Sequence, residues 1–274
     1  MNIYLFRQFF QFYGSAVTKY QLHSPFVFDL ATAVVEDTRW YYAFRDVELL
    51  REAALASDTV LEVTDYGTGG SGSGEAPGRY SASVRQIVRK SSSTPDQGQG
   101  LFRLVNWARP HTILELGTSL GIGTSYLASA ARTARLVSLE GCAACAETAK
   151  KHVEMLGLHN IEVRQGPFEA TLDPALAQLQ PLDFVFIDGN HRCEPTLRYF
   201  EQCLAAAHEK TVFVFDDMHG SPAMTQAWEQ IREHSRVTLT VDFFDLSVAF
   251  INPDFREKFH WKVIRSTWKP WMFW

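Results

Sequence analysis

The sequence is short of the features that would mark several common protein classes. Four cysteines in 274 residues (Cys142, Cys145, Cys193, Cys203) are too few to staple a chain this long. That excludes a disulfide scaffold and suits a reducing cytoplasm. No run of about 18 apolar residues occurs, so no segment is expected to span a bilayer. The start, Met1 to Phe10, is aromatic, but Arg7, Gln8 and Gln11 interrupt it. It lacks the apolar run and small-residue cleavage site of a signal peptide. Nor is there a surplus of positive charge. Lys plus Arg number 26 against 31 Asp plus Glu, a formal charge of -5, so no basic footprint points to nucleic acid. What is present is 46% apolar and 21% charged residues, the composition of a globular chain with a substantial core. The length suits one large domain, or one with a smaller unit attached. Ile3, Phe6, Phe10, Tyr13 and Val17 recur at roughly helical spacing. They predict an amphipathic helix docked on the chain's own core, the other reading being a membrane-surface anchor.

The text changes character near residue 100. Before it, helices dominate. Ser24-Pro25 is a helix start, a hydroxyl cap followed by a proline whose missing N–H costs nothing there. A second helix is expected over Arg39–Ser57, a short strand over Thr59–Thr64, and a further helix over Arg79–Lys90. Between them Gly67-Thr-Gly-Gly-Ser-Gly-Ser-Gly74 is expected to be mobile, because glycine loses most entropy on ordering. Thr94-Pro95-Asp96-Gln97 is a capping box that opens a helix to about Arg109. From His111 onward short β-rich apolar runs alternate with helical windows, the pattern of a parallel sheet covered on both faces. The expected strands are Thr112–Leu116, Arg135–Glu140, Ile161–Gln165, Asp183–Asp188 and Thr211–Asp216, followed by Val237–Phe243 and Ser247–Ile251 as a closing antiparallel pair. Five βα units closed in this way predict a doubly wound sheet with one reversed edge strand.

Two glycine loops could cradle a nucleotide-like ligand. Asp65-Tyr-Gly67-Thr-Gly69-Gly-Ser-Gly72 follows the short early strand, and Glu115-Leu-Gly117-Thr-Ser-Leu-Gly121-Ile-Gly123-Thr-Ser125 follows Thr112–Leu116. The second runs directly into a helix whose first N–H groups can receive an anion. The next strand ends in Glu140, where a carboxylate can bridge two ribose hydroxyls. The first loop has no comparable partner strand and acid, and reads as a surface excursion. The second loop has Tyr126 where a dinucleotide fold would need a third glycine, and no G-x-x-x-x-G-K-[ST] occurs. Its E-x-G-x-x-x-G spacing, with hydroxyls at Thr124 and Ser125, suits a ligand with a carboxylate tail.

Acids close two further strands. Asp188 ends one, Asp216 and Asp217 the next, and neighbouring parallel strands bring such ends side by side. Three carboxylates at one edge repel unless something positive sits among them, and hard oxygen ligands suit Mg²⁺, Ca²⁺ or Mn²⁺. His191, three residues after Asp188, carries an imidazole that can take a proton from a hydroxyl nucleophile. His219 is a weaker second candidate near the same rim. Cys142-x-x-Cys145 has no second pair to complete a metal set and reads as small buried or half-buried thiols. Trp261, Trp268, Trp271 and Trp274 crowd the last fourteen residues, which favours packing on the sheet edge or an oligomer contact such as a homodimer.

The segments ILELGTSLGIGTSYLA, LVSLEG, VRQGPF, DFVFIDGNH and VFVFDD, in this order over about residues 94–252, resemble the class I S-adenosylmethionine-dependent methyltransferases. They look closest to the small-molecule O-methyltransferases typified by catechol and caffeoyl-CoA O-methyltransferase. The resemblance implies a doubly wound, mostly parallel seven-stranded sheet. It implies a methyltransferase domain over 94–274, with residues 1–93 as a helical extension helping to form the pocket of a small-molecule acceptor. By the same resemblance the turn of Glu115, Gly117, Thr118, Ser119 and Gly121 faces the methionine part of S-adenosylmethionine through its backbone. Thr124 or Ser125 would take the carboxylate, and Glu140, with Gly141 beside it, the ribose hydroxyls. Gly166, Pro167 and Phe168 would lie along the adenine, and Asp188 would contact the cofactor ammonium or a divalent cation shared with Asp216 and Asp217. Metal-dependent members carry Asp, Asp and Asn at those three positions, so Asp217 is a departure. His191 stands where they have a catalytic lysine, and with Asp188 it forms the expected catalytic pair. The implied reaction is O-methylation of a small acceptor. A catalytically silent cofactor-binding protein of the same fold and an NAD(P)-dependent oxidoreductase are the other readings weighed.

Overall fold

In the computed structural model, which describes residues 3–67 and 77–272, the alternation after His111 becomes five strand–helix units. The N-terminal part supplies α1 (Ile3–Ser15), α2 (Pro25–Val34) and α3 (Tyr42–Leu55), then β1 (Val60–Asp65), β2 (Gly78–Ser83), α4 (Val84–Ser91) and α5 (Pro95–Ala108). The units are β3 (Thr112–Leu116) with α6 (Ile122–Ala130), β4 (Arg135–Glu140) with α7 (Ala143–Met155), and β5 (Ile161–Gln165) with α8 (Phe168–Gln178). β6 (Leu182–Ile187) with α9 (Cys193–Ala206) and β7 (Ala207–Asp216) with α10 (Pro222–Glu233) complete the five. Three strands close the chain: β8 (Leu239–Asp242), β9 (Leu246–Phe250) and β10 (Phe259–Lys262). Residues 68–74 of the glycine–serine stretch and Trp274 lie outside the described residues.

Eight strands form one sheet in the order β10-β8-β9-β7-β6-β3-β4-β5. β9 alone runs against its neighbours, while the others pair in parallel. The reversed strand is therefore interior, inserted between β7 and β8, and an eighth strand covers the edge that β8 would leave open. Phe259–Lys262 alternates apolar and polar residues but is only four residues long and sits in an aromatic tail, too short a run to announce a strand by itself. The other departure is Arg79–Lys90. Its first half pairs with β1 as β2, and only after Ser83, whose Oγ accepts the Gln86 N–H at 3.3 Å, does α4 begin.

The expected caps are in place. Ser24 Oγ accepts from Val27 N, and Thr94 and Gln97 exchange two hydrogen bonds that open α5. Strand burial explains the continuous apolar runs. Ile113 joins a cluster on one sheet face with α2, α5 and α6, while its neighbour Leu114 joins the opposite face with α8, α9 and α10. The N-terminal helices build a third cluster, in which Phe44 of α3 meets Phe102 and Tyr126. Tyr126 Oη donates to Glu48 Oε1 at 2.7 Å, tying α3 to the helix that follows β3. α1 docks through Phe12 and through Phe9 stacked edge-on against Phe244, so Ile3, Phe6 and Phe10 of the expected stripe remain exposed. Among the described residues no helix is long and apolar enough to cross a membrane.

Candidate active site

β3 lies between β4 and β6, so the chain winds away from it in both directions. This strand-order reversal opens a crevice at the C-terminal strand ends. The chain leaves β3 through Gly117 at φ +107°, where a Cβ would sit 2.2 Å from the Asp188 carbonyl oxygen. Only glycine fits that crossing. The Gly117 N–H donates to Leu139 O at 3.0 Å and the Asp188 N–H to Leu116 O at 2.9 Å, which fixes the three strand ends against one another. The turn closes with Gly121 N donating to Thr118 O at 2.8 Å, and Ser119 sits at φ +50°.

Glu140, at the end of β4, meets this turn directly. Its Oε2 accepts the Ser119 N–H at 2.7 Å and its Oε1 the Cys142 N–H at 2.8 Å. Two of about four acceptor positions of the carboxylate remain. Burial pushes its carboxyl up to about 7, against the pull of those two N–H groups. Both pieces border a cavity of about 570 Å³, which Gly117, Ser119, Gly141, Pro167 and Phe168 also line.

Other sequence candidates lie behind this wall. Glu115 is buried beneath the turn and accepts from Thr124 Oγ1 at 2.6 Å and from Ser138 Oγ. Desolvation raises its carboxyl to about 7. Thr124 is thus committed to Glu115, and Ser125 Oγ donates to Gly121 O at 2.6 Å, so neither hydroxyl faces the cavity as the carboxylate contact expected of it. Thr118 bonds to Ser138. Gly121 and Gly166 shape their turns at positive φ without bordering the cavity, and Gly166 N donates to Glu140 O at 2.9 Å. His219 is turned away altogether. Its Nε2 pairs with Asp242 Oδ2 at 2.8 Å and its ring stacks on Phe244.

The acidic end of the cavity holds Asp188, Asp216, Asp217 and His191. Asp188 and Asp216 are hydrogen-bonded carboxyls. Burial, then the Asp216 charge, lifts Asp188 well above the usual carboxylate range, and burial followed by Asp217 lifts Asp216 to about 7. Two buried carboxyls in contact resist ionising together, so each raises the other. Gln97 Nε2 donates to Asp216 Oδ1 at 3.2 Å. The His191 Nε2 stands 3.5 Å from Asp188 Oδ1, with the side chain about one-third exposed. Among the described residues no group of three or more His, Cys, Asp or Glu side chains is gathered to hold a metal ion.

Several wall residues escaped sequence reasoning. Asp65, Tyr66 and Gly67, the start of the loop read as a surface excursion, border the same cavity. Arg192 Nη2 holds Tyr66 O at 3.0 Å, and the Tyr66 ring covers Gly141, where a Cβ would lie 2.6 Å from it. Ser92, Ser93 and Gln97 supply the side next to α5. The capping box at Thr94 was the available signal, since it places this turn and the start of α5 at a definite point beside β3.

A family described as a methyltransferase domain matches residues 114–218. The catechol O-methyltransferase of Niastella koreensis is 31% identical over 130 residues, 46% of this chain and 58% of that protein. The catechol O-methyltransferase of Mycobacterium tuberculosis is 34% identical over 124 residues, 44% and 54% of the two chains. The chain thus spans little more than half the length of these curated relatives. Among solved structures, the O-methyltransferase TomG of Streptomyces achromogenes, described in complex with SAM, superposes with a TM-score of 0.50 at 25% identity, over 59% of this chain and 82% of that one. Strand order, a glycine turn locked against an acidic strand end and these likenesses agree: residues 114–218 match a methyltransferase domain, and the chain is similar in sequence and fold to O-methyltransferases.

Proposed function

We propose that this chain transfers a methyl group from S-adenosylmethionine to a hydroxyl of a small acceptor, with a catechol as the first acceptor to try. The observation that carries the reading is the contact between Ser119 N and Glu140 Oε2 beside an open cavity. It presents a carboxylate with spare acceptor capacity next to a turn that admits no side chain at Gly117. A cavity of about 570 Å³ falls in the range of small-molecule and cofactor sites. Glu140 and Gly141 would hold the ribose, Gly117 and Ser119 the amino-acid part, and Pro167 and Phe168 the adenine. Glu115, Thr118, Gly121, Thr124 and Gly166 would serve by holding that turn and its neighbours in shape.

S-adenosylmethionine supplies, when bound, an electrophilic methyl on a sulfonium. The protein's share is to orient the acceptor and remove its proton. His191 Nε2 would take the hydroxyl proton, and the Asp188–Asp216 pair beside it would stabilise the resulting imidazolium. These acids and His191 border the same cavity as Glu140, which favours an enzyme over a silent binding protein. The cooperation of residues 1–93 with a cofactor-binding unit over 94–274 is supported by Asp65, Tyr66 and Gly67 in the cavity wall. The four free cysteines fit a cytoplasmic setting. Exposed Phe6, Phe10, Trp268 and Trp271 favour self-association, which sedimentation would reveal.

A second reading keeps the divalent cation, favoured by the crowding that raises Asp188 and Asp216. Activity unchanged by chelator and by Asp216→Ala would remove it. For the main reading, calorimetric titration with S-adenosylhomocysteine should give a saturable site and methylated product should form from an o-diphenol. Absence of binding would end it.

A further inference from the structure

Neither thiol in the cavity wall has a part in the methyl transfer outlined above. Cys142 caps the N-terminus of α7, and its Sγ accepts the Cys145 N–H at 3.5 Å. The three-residue spacing sets both sulfurs on the first helical turn, close enough to interact with each other. A buried thiol is ordinarily inert. Although only 2% and 4% exposed, these two border the open cavity, which gives small reagents a path to them. Cys203 is fully buried and borders no such space.

The pair is electronically unequal. Contact with Cys145, then the Thr64 N–H of β1 and the N–H groups of the helix start, draw the Cys142 thiol down to about 5 against its burial, and the same contact pushes Cys145 up. The titratable groups facing them are Glu140 on β4, Asp65 on β1 and Tyr80 on β2. None is a cation, so the partner thiol, the Thr64 N–H and the helix start, rather than an ion pair, hold the Cys142 thiolate.

We propose that Cys142 and Cys145 form a reversible disulfide in the wall of the candidate active site, Cys142 attacking a peroxide and Cys145 resolving the product. The Cys142 sulfur attacks one peroxide oxygen. An S–O bond forms, the O–O bond breaks, and the leaving hydroxide takes a proton to become water. The Cys145 sulfur then attacks the sulfenic sulfur. The S–S bond forms, the S–O bond breaks, and the departing hydroxide leaves as a second water with the Cys145 proton. Two thiols lose two electrons to one peroxide. The Cys142 sulfur lies 3.7 Å from Glu62 O and draws on the Thr64 N–H of β1, so the bridge forms where α7 meets the hairpin.

The full chain, reduced and then exposed to hydrogen peroxide, is quenched with N-ethylmaleimide and mapped by mass spectrometry. The peptide carrying both cysteines should lose two hydrogens, resist alkylation and recover on treatment with dithiothreitol, while Cys203 stays a thiol. Cys145→Ser should halt the reaction at a dimedone-reactive sulfenic acid on Cys142. Cys142→Ser, which keeps a good capping side chain, should leave Cys145 unoxidised. Independently of any variant, iodoacetamide should alkylate Cys142 at a nearly constant rate between about pH 6 and pH 8, whereas an ordinary thiol quickens roughly tenfold per unit. An unoxidised pair, bridges only between chains, or an ordinary pH profile at Cys142 would each overturn the proposal.

Discussion

Replacing Glu140 by alanine removes the carboxylate that joins β4 to the glycine turn, and the consequence can be worked from its contacts. Its two oxygens accept from Ser119 N and Cys142 N, and in the proposed complex they also accept from two ribose hydroxyls. A hydrogen bond to a charged group contributes about 1.5–3 kcal/mol. Allowing for water in the open cavity, the two lost ligand bonds amount to about 2–4 kcal/mol, or roughly 30- to 1,000-fold in the Kd for S-adenosylhomocysteine. Glu140→Gln should fall between, because its amide oxygen can serve one of the two N–H groups while its NH₂ opposes the other. The pH dependence is tied to the same side chain. Its carboxyl lies near 7 in the free protein and hydroxyls donate to the ionised form. Affinity should therefore drop by up to about tenfold for each pH unit below that value. Calorimetry on variants shown to be folded by circular dichroism measures all three. A Glu140→Ala affinity within about threefold of the parent would refute the reasoning.

His191→Ala should lower turnover by about 10²- to 10⁴-fold while leaving the S-adenosylhomocysteine Kd unchanged; a matching loss of binding would make His191 a ligand contact rather than a base. Gly117→Ala meets both a positive φ and the Asp188 carbonyl and should cost about 2–5 kcal/mol of stability, read as a shift in urea midpoint; an unshifted midpoint would show that the crossing has slack. Glu115, Glu140 and Asp216 sit near 7 and burial lifts Asp188 well above the usual carboxylate range, so all four are raised above their unfolded values. The folded chain therefore binds more protons between about pH 4 and 7, and its stability should fall as pH rises through about 7. Thermal melts without ligand at about pH 5 and pH 8 check this, and a higher Tm at the alkaline end would contradict it. Glu115→Gln should flatten part of that slope.

Most of the parallel sheet was legible because strands buried on both faces must be apolar throughout. Ile113 and Leu114 feed opposite cores, and Gly117 follows β3 at once while Glu140 ends β4, so strand and site are read together. β10 was hidden because its alternating pattern, Phe259–Lys262, is only four residues long and its partner β8 lies some twenty residues earlier. β2 was hidden for a related reason: Arg79–Ser83 takes its conformation from pairing with β1, a distant contact that local propensity does not report. The acidic end was legible as residues but not as chemistry. Sequence spacing brings Asp188, Asp216 and Asp217 to one edge, whereas the upward shift of the first two depends on burial and contact that only the fold supplies. The contribution of Asp65, Tyr66 and Gly67 depends on Arg192 reaching back across the cavity to Tyr66, which no local rule anticipates.

A crystal of the full chain soaked with S-adenosylhomocysteine tests the central claim most directly. The account predicts both ribose hydroxyls on the Glu140 carboxylate and the sulfur pointing toward Asp188 and His191. Density for the nucleoside elsewhere, or none in this crevice at saturating ligand, would contradict it.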